Sequence, residues 1–185
     1  LLSKENVYNG NFDKEFESLD DASLSIDKCF LSQINDWRLE LSRYLHFEKG
    51  YKTEIINDVV QEFINQIIFI RICEDRNLPI YHSLVETIKN ESKINEELTK
   101  LFKKADKRYN SGIFRGEYIV FDLDSQIIKD IIESLYFPKN PYHFKLIEPS
   151  ILGEIYELFL TQYITKDSQS NLILVNKKEN MNRDI

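Results

Sequence analysis

Apolar residues recur along this chain in steps of three and four, the interval that gathers side chains onto one face of a helix. Ile26, Phe30, Ile34, Trp37, Leu41 and Leu45 draw one such stripe, which predicts a helix from Ser25 to Phe47 ended by Gly50. Ile56, Val60, Phe63, Ile67 and Ile70 draw a second, and Ile55, Val59, Ile64, Ile68 and Ile72 fill another face of the same segment. A helix apolar on most sides is a buried one. This second helix, opened by Thr53 as N-cap and stopped by Pro79, is therefore expected at the centre of the fold. Phe63, Ile67, Ile70 and Trp37 are expected in its core.

The pattern then shortens. Short helices are expected over about 80–90 and 94–107, followed by a turn at Asn110-Ser111-Gly112. Tyr118 to Phe121 reads as a short strand. Asp124 caps a helix from Ser125 to Leu135 that turns Ile127, Ile128, Ile131, Ile132 and Leu135 inward. Pro138, Pro141 and Pro149 punctuate a loop. Ser150, with Glu154 in the first turns, opens a last long helix running to Ile164. Leu172 to Val175 reads as a strand whose partner lies outside the chain. Residues 1–22 have no clear period and read as a linker. The expected organisation is thus a linker over 1–22, a helical domain over 23–165 and a tail over 166–185.

Composition narrows the class. The chain is 42% hydrophobic and 30% charged, the balance of a globular protein. With 5 Gly and 4 Pro it lacks the turn-formers that a sandwich or barrel needs. The expected fold class is all-α, an irregular multi-helix bundle with at most one or two short β strands. A net charge of -7 is the opposite of a free-standing nucleic-acid binder, so any contact with DNA must be local. The most apolar run, Ile67 to Cys73, falls far short of the roughly 20 residues that span a bilayer. The polar start carries no signal peptide, so the cytoplasm is the expected location and no membrane partner is expected. An opening without Met and a polar end, NKKENMNRDI, suggest a piece of a longer protein.

Two charged groupings stand out. Glu74, Asp75 and Arg76 finish the second helix, where carboxylates oppose the macrodipole and call for cationic partners. Arg71, one turn earlier, is the nearest cation, with Arg76, Lys107 and Arg108 in reach. A structural ion-pair cluster of Arg71, Glu74, Asp75 and Arg76 is the simpler reading; catalysis or metal binding is the other. The second grouping is basic. Lys100, Lys103, Lys104, Lys107 and Arg108 share one helix face, and Arg115 follows, with Asp106 the one acid between 100 and 116. It is either a solvated face or a contact to the DNA backbone. Cys29 and Cys73 have no CxxC spacing and read as reduced, mostly buried thiols. His46, His82 and His143 have no zinc-ligand spacing, and no metal site is expected.

Several segments, in this order and spacing, carry a resemblance. They are Asp36-Trp37-Arg38, then Ile64 to Phe69 leading to Cys73-Glu74-Asp75-Arg76, then Ala105 to Phe114 (ADKRYNSGIF), Leu135-Tyr136-Phe137-Pro138, and Leu152 to Leu160 (LGEIYELFL). Together, over about residues 26–165, they resemble the helical region directly upstream of the catalytic domain in adenine-N6 DNA methyltransferases. The fused type IIG restriction–modification enzymes match best. The resemblance implies a parent that is a site-specific, S-adenosylmethionine-dependent adenine methyltransferase, with or without a fused, Mg-dependent endonuclease. It implies that this region connects and positions catalytic modules. Its partners would be DNA, reached through the parent enzyme, and the methylase and nuclease domains of the same polypeptide. Close packing of the last helix at Gly153, beside Tyr156 and Phe159, fits that rigid role.

The catalytic signatures of such enzymes are absent from 1–185. No Gly-rich loop could hold S-adenosylmethionine, and no P-loop occurs. Asn140-Pro141-Tyr142 lacks the second proline of the Asn-Pro-Pro-aromatic tetrad that holds a flipped base, and reads as a turn. No catalytic, cofactor-binding or metal-binding residue is therefore expected in this chain. The rival reading is a stand-alone helical protein–protein interaction module, its surface drawn from 12 Phe and 10 Tyr.

Overall fold

The computed structural model describes residues 11–78, 83–110, 112–114, 119–140 and 150–177, with side chains from Lys28 onward, Leu152 excepted. Among these, six α-helices and one two-stranded sheet form an all-α fold with short strands. The helices are α1 (Asn11–Phe47), α2 (Thr53–Asp75), α3 (Ser83–Glu86), α4 (Ile94–Tyr109), α5 (Ser125–Glu133) and α6 (Ile151–Thr161). Strands β1 (Gln162–Lys166) and β2 (Leu172–Asn176) pair antiparallel.

Helix α1 begins at Asn11, ahead of the expected Ser25, so residues 11–22 continue the helix. No Gly or Pro interrupts them, and Asp13, Glu15 and Glu17 suit the positive N-terminal end of a helix. From Phe30 on, the expected stripe is buried at every position: Phe30, Ile34, Trp37, Leu41 and Leu45. Helix α2 is central. Ile56, Val60, Phe63, Ile64, Ile67, Ile68 and Ile70 are all buried on it, and it packs against α1, α3 and β1. Ile55 is the exception on its second face, exposed near the helix start. Rings of α2 meet those of α4 and of the turn after it edge to face. Phe63 lies 6.4 Å from Phe102, and Phe69 lies 5.4 Å from Tyr109 and 5.6 Å from Phe114.

The helix ends correct several local expectations. Lys52, not Thr53, is the N-cap of α2; the Thr53 hydroxyl reaches Glu54 and caps nothing. Asn77 ends α2 in the left-handed region (φ 53°), with its N–H on Glu74 O and the Leu78 N–H on Cys73 O. That is a Schellman closure, and the chain is already turned before Pro79, which lies outside the described residues. Asp124 caps α5 as expected, its Oδ1 accepting from the N–H groups of Gln126 and Ile127. Ser150 sits at the N-cap of α6 without a side-chain cap bond.

Residues Ile119–Asp122 form a 3₁₀ turn rather than the expected strand. Among the described residues no neighbouring strand offers a ladder there. The Asn95 amide instead donates to the carbonyls of Val120 and Leu123 and holds the turn on α4. Helix α6 stops at Thr161, short of the expected Ile164. Gln162–Lys166 is the partner strand of Leu172–Asn176, so β2 finds its mate within the chain and residues 166–176, expected in the tail, lie in a hairpin. Asp167 closes it: its Oδ1 accepts from the N–H groups of Gln169 and Asn171.

Gly153 does not mark a close approach. A Cβ there would meet nothing within 4 Å, and Tyr156 beside it is 57% exposed. Phe159 is buried, in line with Ile151 and Ile155 on the core side of the helix.

Candidate nucleic-acid interface

Helix α4 is strongly two-sided. Leu98, Leu101, Phe102 and Ala105 are buried, whereas Lys100, Lys103, Lys104, Lys107 and Arg108 are exposed. They are not equivalent. Lys100 Nζ lies 2.7 Å from Glu96 and 3.0 Å from Glu97, one turn back on the same helix. Hydrogen bonds to Glu96 and then Glu97 raise its pKa. Its charge is locally neutralised. Lys103, Lys104, Lys107 and Arg108 make no ion pair among the described residues, and Lys107 and Arg108 occupy the last turn, where cations complement the helix dipole. Arg115 lies outside the described residues. The geometry thus reduces the expected patch on α4 to Lys103, Lys104, Lys107 and Arg108.

The acidic end of α2 is built differently. Glu74 is 2% exposed. Its Oε1 accepts the Leu84 N–H at 2.6 Å, its Oε2 accepts the Tyr136 hydroxyl, and Arg71 Nη1 stands 3.8 Å away. Arg71 also pairs with Asp75 at 2.5 Å, donates from Nε to Leu135 O and lies over the Tyr136 ring at 4.4 Å. Burial, then the Glu74 carboxylate, pushes the Tyr136 hydroxyl far above its ordinary range, so it stays a donor. One buried carboxylate thereby ties α2 to α3 and to the turn after α5. Arg76 is exposed and forms no ion pair among the described residues, so the cluster is Arg71, Glu74 and Asp75, completed by Tyr136. Burial raises the pKa of Cys73 beside it, with the Tyr109 hydroxyl partly offsetting. Cys29 is exposed, against expectation, because it falls off the apolar stripe of α1.

Among the described residues no group of three His, Cys, Asp or Glu side chains could hold a metal ion, and no helix is long and apolar enough to cross a membrane. Asn140 is 3% exposed and its N–H bonds Tyr136 O, in the turn that follows α5. Pro141 and Tyr142 lie outside the described residues.

A second buried polar link starts on α1. Arg38 is 2% exposed. Its Nη2 donates to Gln162 O at 2.8 Å, its Nη1 to Asn35 Oδ1, and its guanidinium lies 4.6 Å from the Phe159 ring centre. Desolvation lowers its pKa to about 10. Asn35 in turn donates to Gln162 Oε1. Asn57 of α2 completes the attachment: its Oδ1 accepts the Ile164 N–H at 2.8 Å and its Nδ2 donates to Ile164 O at 3.0 Å. A side-chain amide here substitutes for a neighbouring strand. Arg38 could have been found from its place, four residues after Ile34 and seven before Leu45, a charge inside an apolar stripe. Asn57→Ala is expected to free β1 from α2, with the Ile164 amide exchanging at least about tenfold faster with solvent; an unchanged rate would show that the clamp contributes nothing.

No family model matches the chain, and no solved structure matches it. The type II restriction enzyme and methyltransferase RM.Eco57I of Escherichia coli is 40% identical to it over 190 residues, across the whole of this chain. The chain is thus similar, over its whole length, to a region of a restriction–modification protein. It spans 19% of that relative's length. The segments that carry the resemblance in the sequence lie in α1, α2 and α6, across the end of α4 and, at Leu135 to Pro138, in the turn after α5, and two of them supply the buried links, Arg38 and Glu74.

Proposed function

We propose that this chain is the helical connector of a site-specific adenine-N6 DNA methyltransferase of the restriction–modification type, positioning catalytic modules and touching the DNA backbone through α4. The observation that carries the reading is the match across the whole chain to a fifth of a restriction enzyme and methyltransferase. The buried polar groups support it. Arg38, Asn57, Arg71 and Glu74 spend their bonds joining helices, strands and turns to one another, which suits a spacer that must hold a fixed length. S-adenosylmethionine, and Mg where an endonuclease is fused, belong to the parent's other modules in this reading, as do the base contacts.

The test uses the full-length polypeptide. Lys103, Lys104, Lys107 and Arg108 are replaced together by Ala, and DNA affinity is measured across a salt series. Each lost phosphate contact reduces the slope of log K against log salt by about 0.9, so the slope is expected to flatten by up to about 3–4. Discrimination between cognate and altered sites is expected to stay unchanged, since phosphate contacts position and base contacts specify. The methylation rate at saturating DNA is also expected to hold. An unaltered slope would make the stripe a solvated face, and a collapse of the saturated rate would place chemistry in this chain and sink the connector reading.

A further inference from the structure

The hairpin has two edges, and the structure treats them differently. Asp167 N–H bonds Asn171 O, which sets the alternation along the ladder. Tyr163 and Thr165 then face Val175 and Ile173 in the hydrogen-bonded pairs, and Gln162 and Ile164 turn their backbone groups outward. Those outward groups are taken: Arg38 holds the Gln162 carbonyl and Asn57 holds both groups of Ile164. By the same alternation Leu172, Leu174 and Asn176 point their N–H and C=O groups away from β1. The sheet has two strands, and nothing among the described residues pairs with that outer edge.

The sequence of β2 is unsuited to a permanent edge. Leu172, Ile173, Leu174 and Val175 are apolar on both faces of the strand, as in strands covered on both sides. Ile173 is 37% exposed on the outer face. Protective devices of natural edges, an inward charge, a proline or a bulge, are missing from Leu172–Val175. A two-stranded hairpin is also marginal by itself, yet this one is fastened to α1 and α2 along its other edge, as a preset template would be.

We infer that the outer edge of β2 is a strand-addition site, filled by a β-strand from the remaining part of the same restriction–modification polypeptide. The hairpin then forms the start of a larger sheet and joins the helical region rigidly to the next module. This rests on the reading of the chain as part of such a polypeptide. The occupant follows from three observations. The relative has about four-fifths of its length beyond the match, enough to supply a strand. Attachment in one polypeptide gives that strand an effective concentration in the millimolar range. A net charge of -7 disfavours a second copy as the occupant.

The experiment is hydrogen exchange on the full-length polypeptide, with DNA methylation measured on the same preparation. The Leu174 and Asn176 amides are expected to exchange within about tenfold of the Ile173 and Val175 amides, which the hairpin itself protects. Leu174→Pro removes the outward N–H without touching a bond to β1. It is expected to abolish protection at Asn176 and in the added strand while Tyr163 and Thr165 stay protected; Leu174→Ala, which keeps the N–H, is expected to preserve it. Free exchange at Leu174 in a polypeptide that methylates DNA would overturn the strand addition alone. Protection that grows with protein concentration would assign the edge to a second copy and overturn it too. A polypeptide that transfers no methyl group to DNA would overturn the reading beneath it.

Discussion

Glu74→Ala is expected to lower the folding free energy by about 2–6 kcal/mol, at about 1–3 kcal/mol for each of the two buried donors left without an acceptor. The loss exceeds that of a surface ion pair, about 0–1 kcal/mol, because of what is left behind. The Leu84 N–H and the Tyr136 hydroxyl lose their acceptor in a site where Glu74 was 2% exposed. Arg71 keeps Asp75 and Leu135 O, so its charge is not stranded. Denaturant titration of the variant gives the number directly, and a loss under about 1 kcal/mol would mean that water or a shifted side chain replaces the carboxylate. Tyr136→Phe is the milder companion, expected at about 1–3 kcal/mol near neutral pH. Its pH dependence has a definite sign. The Tyr136 pKa is raised in the folded state above its ordinary 10.0, first by burial and then by Glu74. The tyrosine's contribution is therefore complete below pH 10 and is lost as pH rises beyond it. The advantage of the native chain over Tyr136→Phe is expected to shrink above pH 10, by at most about 1.4 kcal/mol per pH unit.

Ile67→Ala is expected to cost about 2–5 kcal/mol, the cost of a large aliphatic side chain lost from a site that cannot collapse around the gap. Ile67 is 1% exposed at the middle of α2, with buried Phe63, Ile64, Ile68 and Ile70 around it on the same helix. Ile55, one turn before Val59 on the second stripe, is 49% exposed. Ile55→Ala is accordingly expected within about 0.5 kcal/mol of the native chain. The contrast within one helix is the useful measurement. Equal losses at the two positions would contradict the central placement of α2, and a loss under about 0.5 kcal/mol at Ile67 would do so by itself.

Glu74→Ala and Ile67→Ala both act on α2, the element against which α1, α3 and β1 pack. Loosening it is expected to disturb the hairpin through Asn57 as well as the core, because that amide is fixed on α2.

What was legible in the sequence was local. Phe30, Ile34, Trp37, Leu41 and Leu45 spell a helix face at 3.6 residues per turn, and each is buried. Asp124 announces α5 because an N-cap bonds to N–H groups only two and three residues away. Lys100 belongs with Glu96 and Glu97, four and three residues before it, rather than with its basic neighbours. That pairing is as local as the stripe and was within reach of the sequence. Gly153 illustrates the opposite error, a packing role assigned to a residue whose surroundings are open.

The sequence by itself determined the helices, the centrality of α2 and the kinship with restriction–modification proteins, since all three rest on patterns read within a few turns of chain or on the order of such patterns. Tertiary structure alone decided the fate of Gln162–Lys166. Its period suited the end of a helix, and it became a strand because β2 lies opposite and Arg38 and Asn57 bond its outer edge from 124 and 107 residues away. It also decided that Arg38 and Glu74 are buried links rather than surface charges. A charge inside an apolar stripe can be seen in the sequence. The carbonyl, hydroxyl and N–H groups that make its burial tolerable come from remote parts of the chain, and only folding brings them within bonding distance.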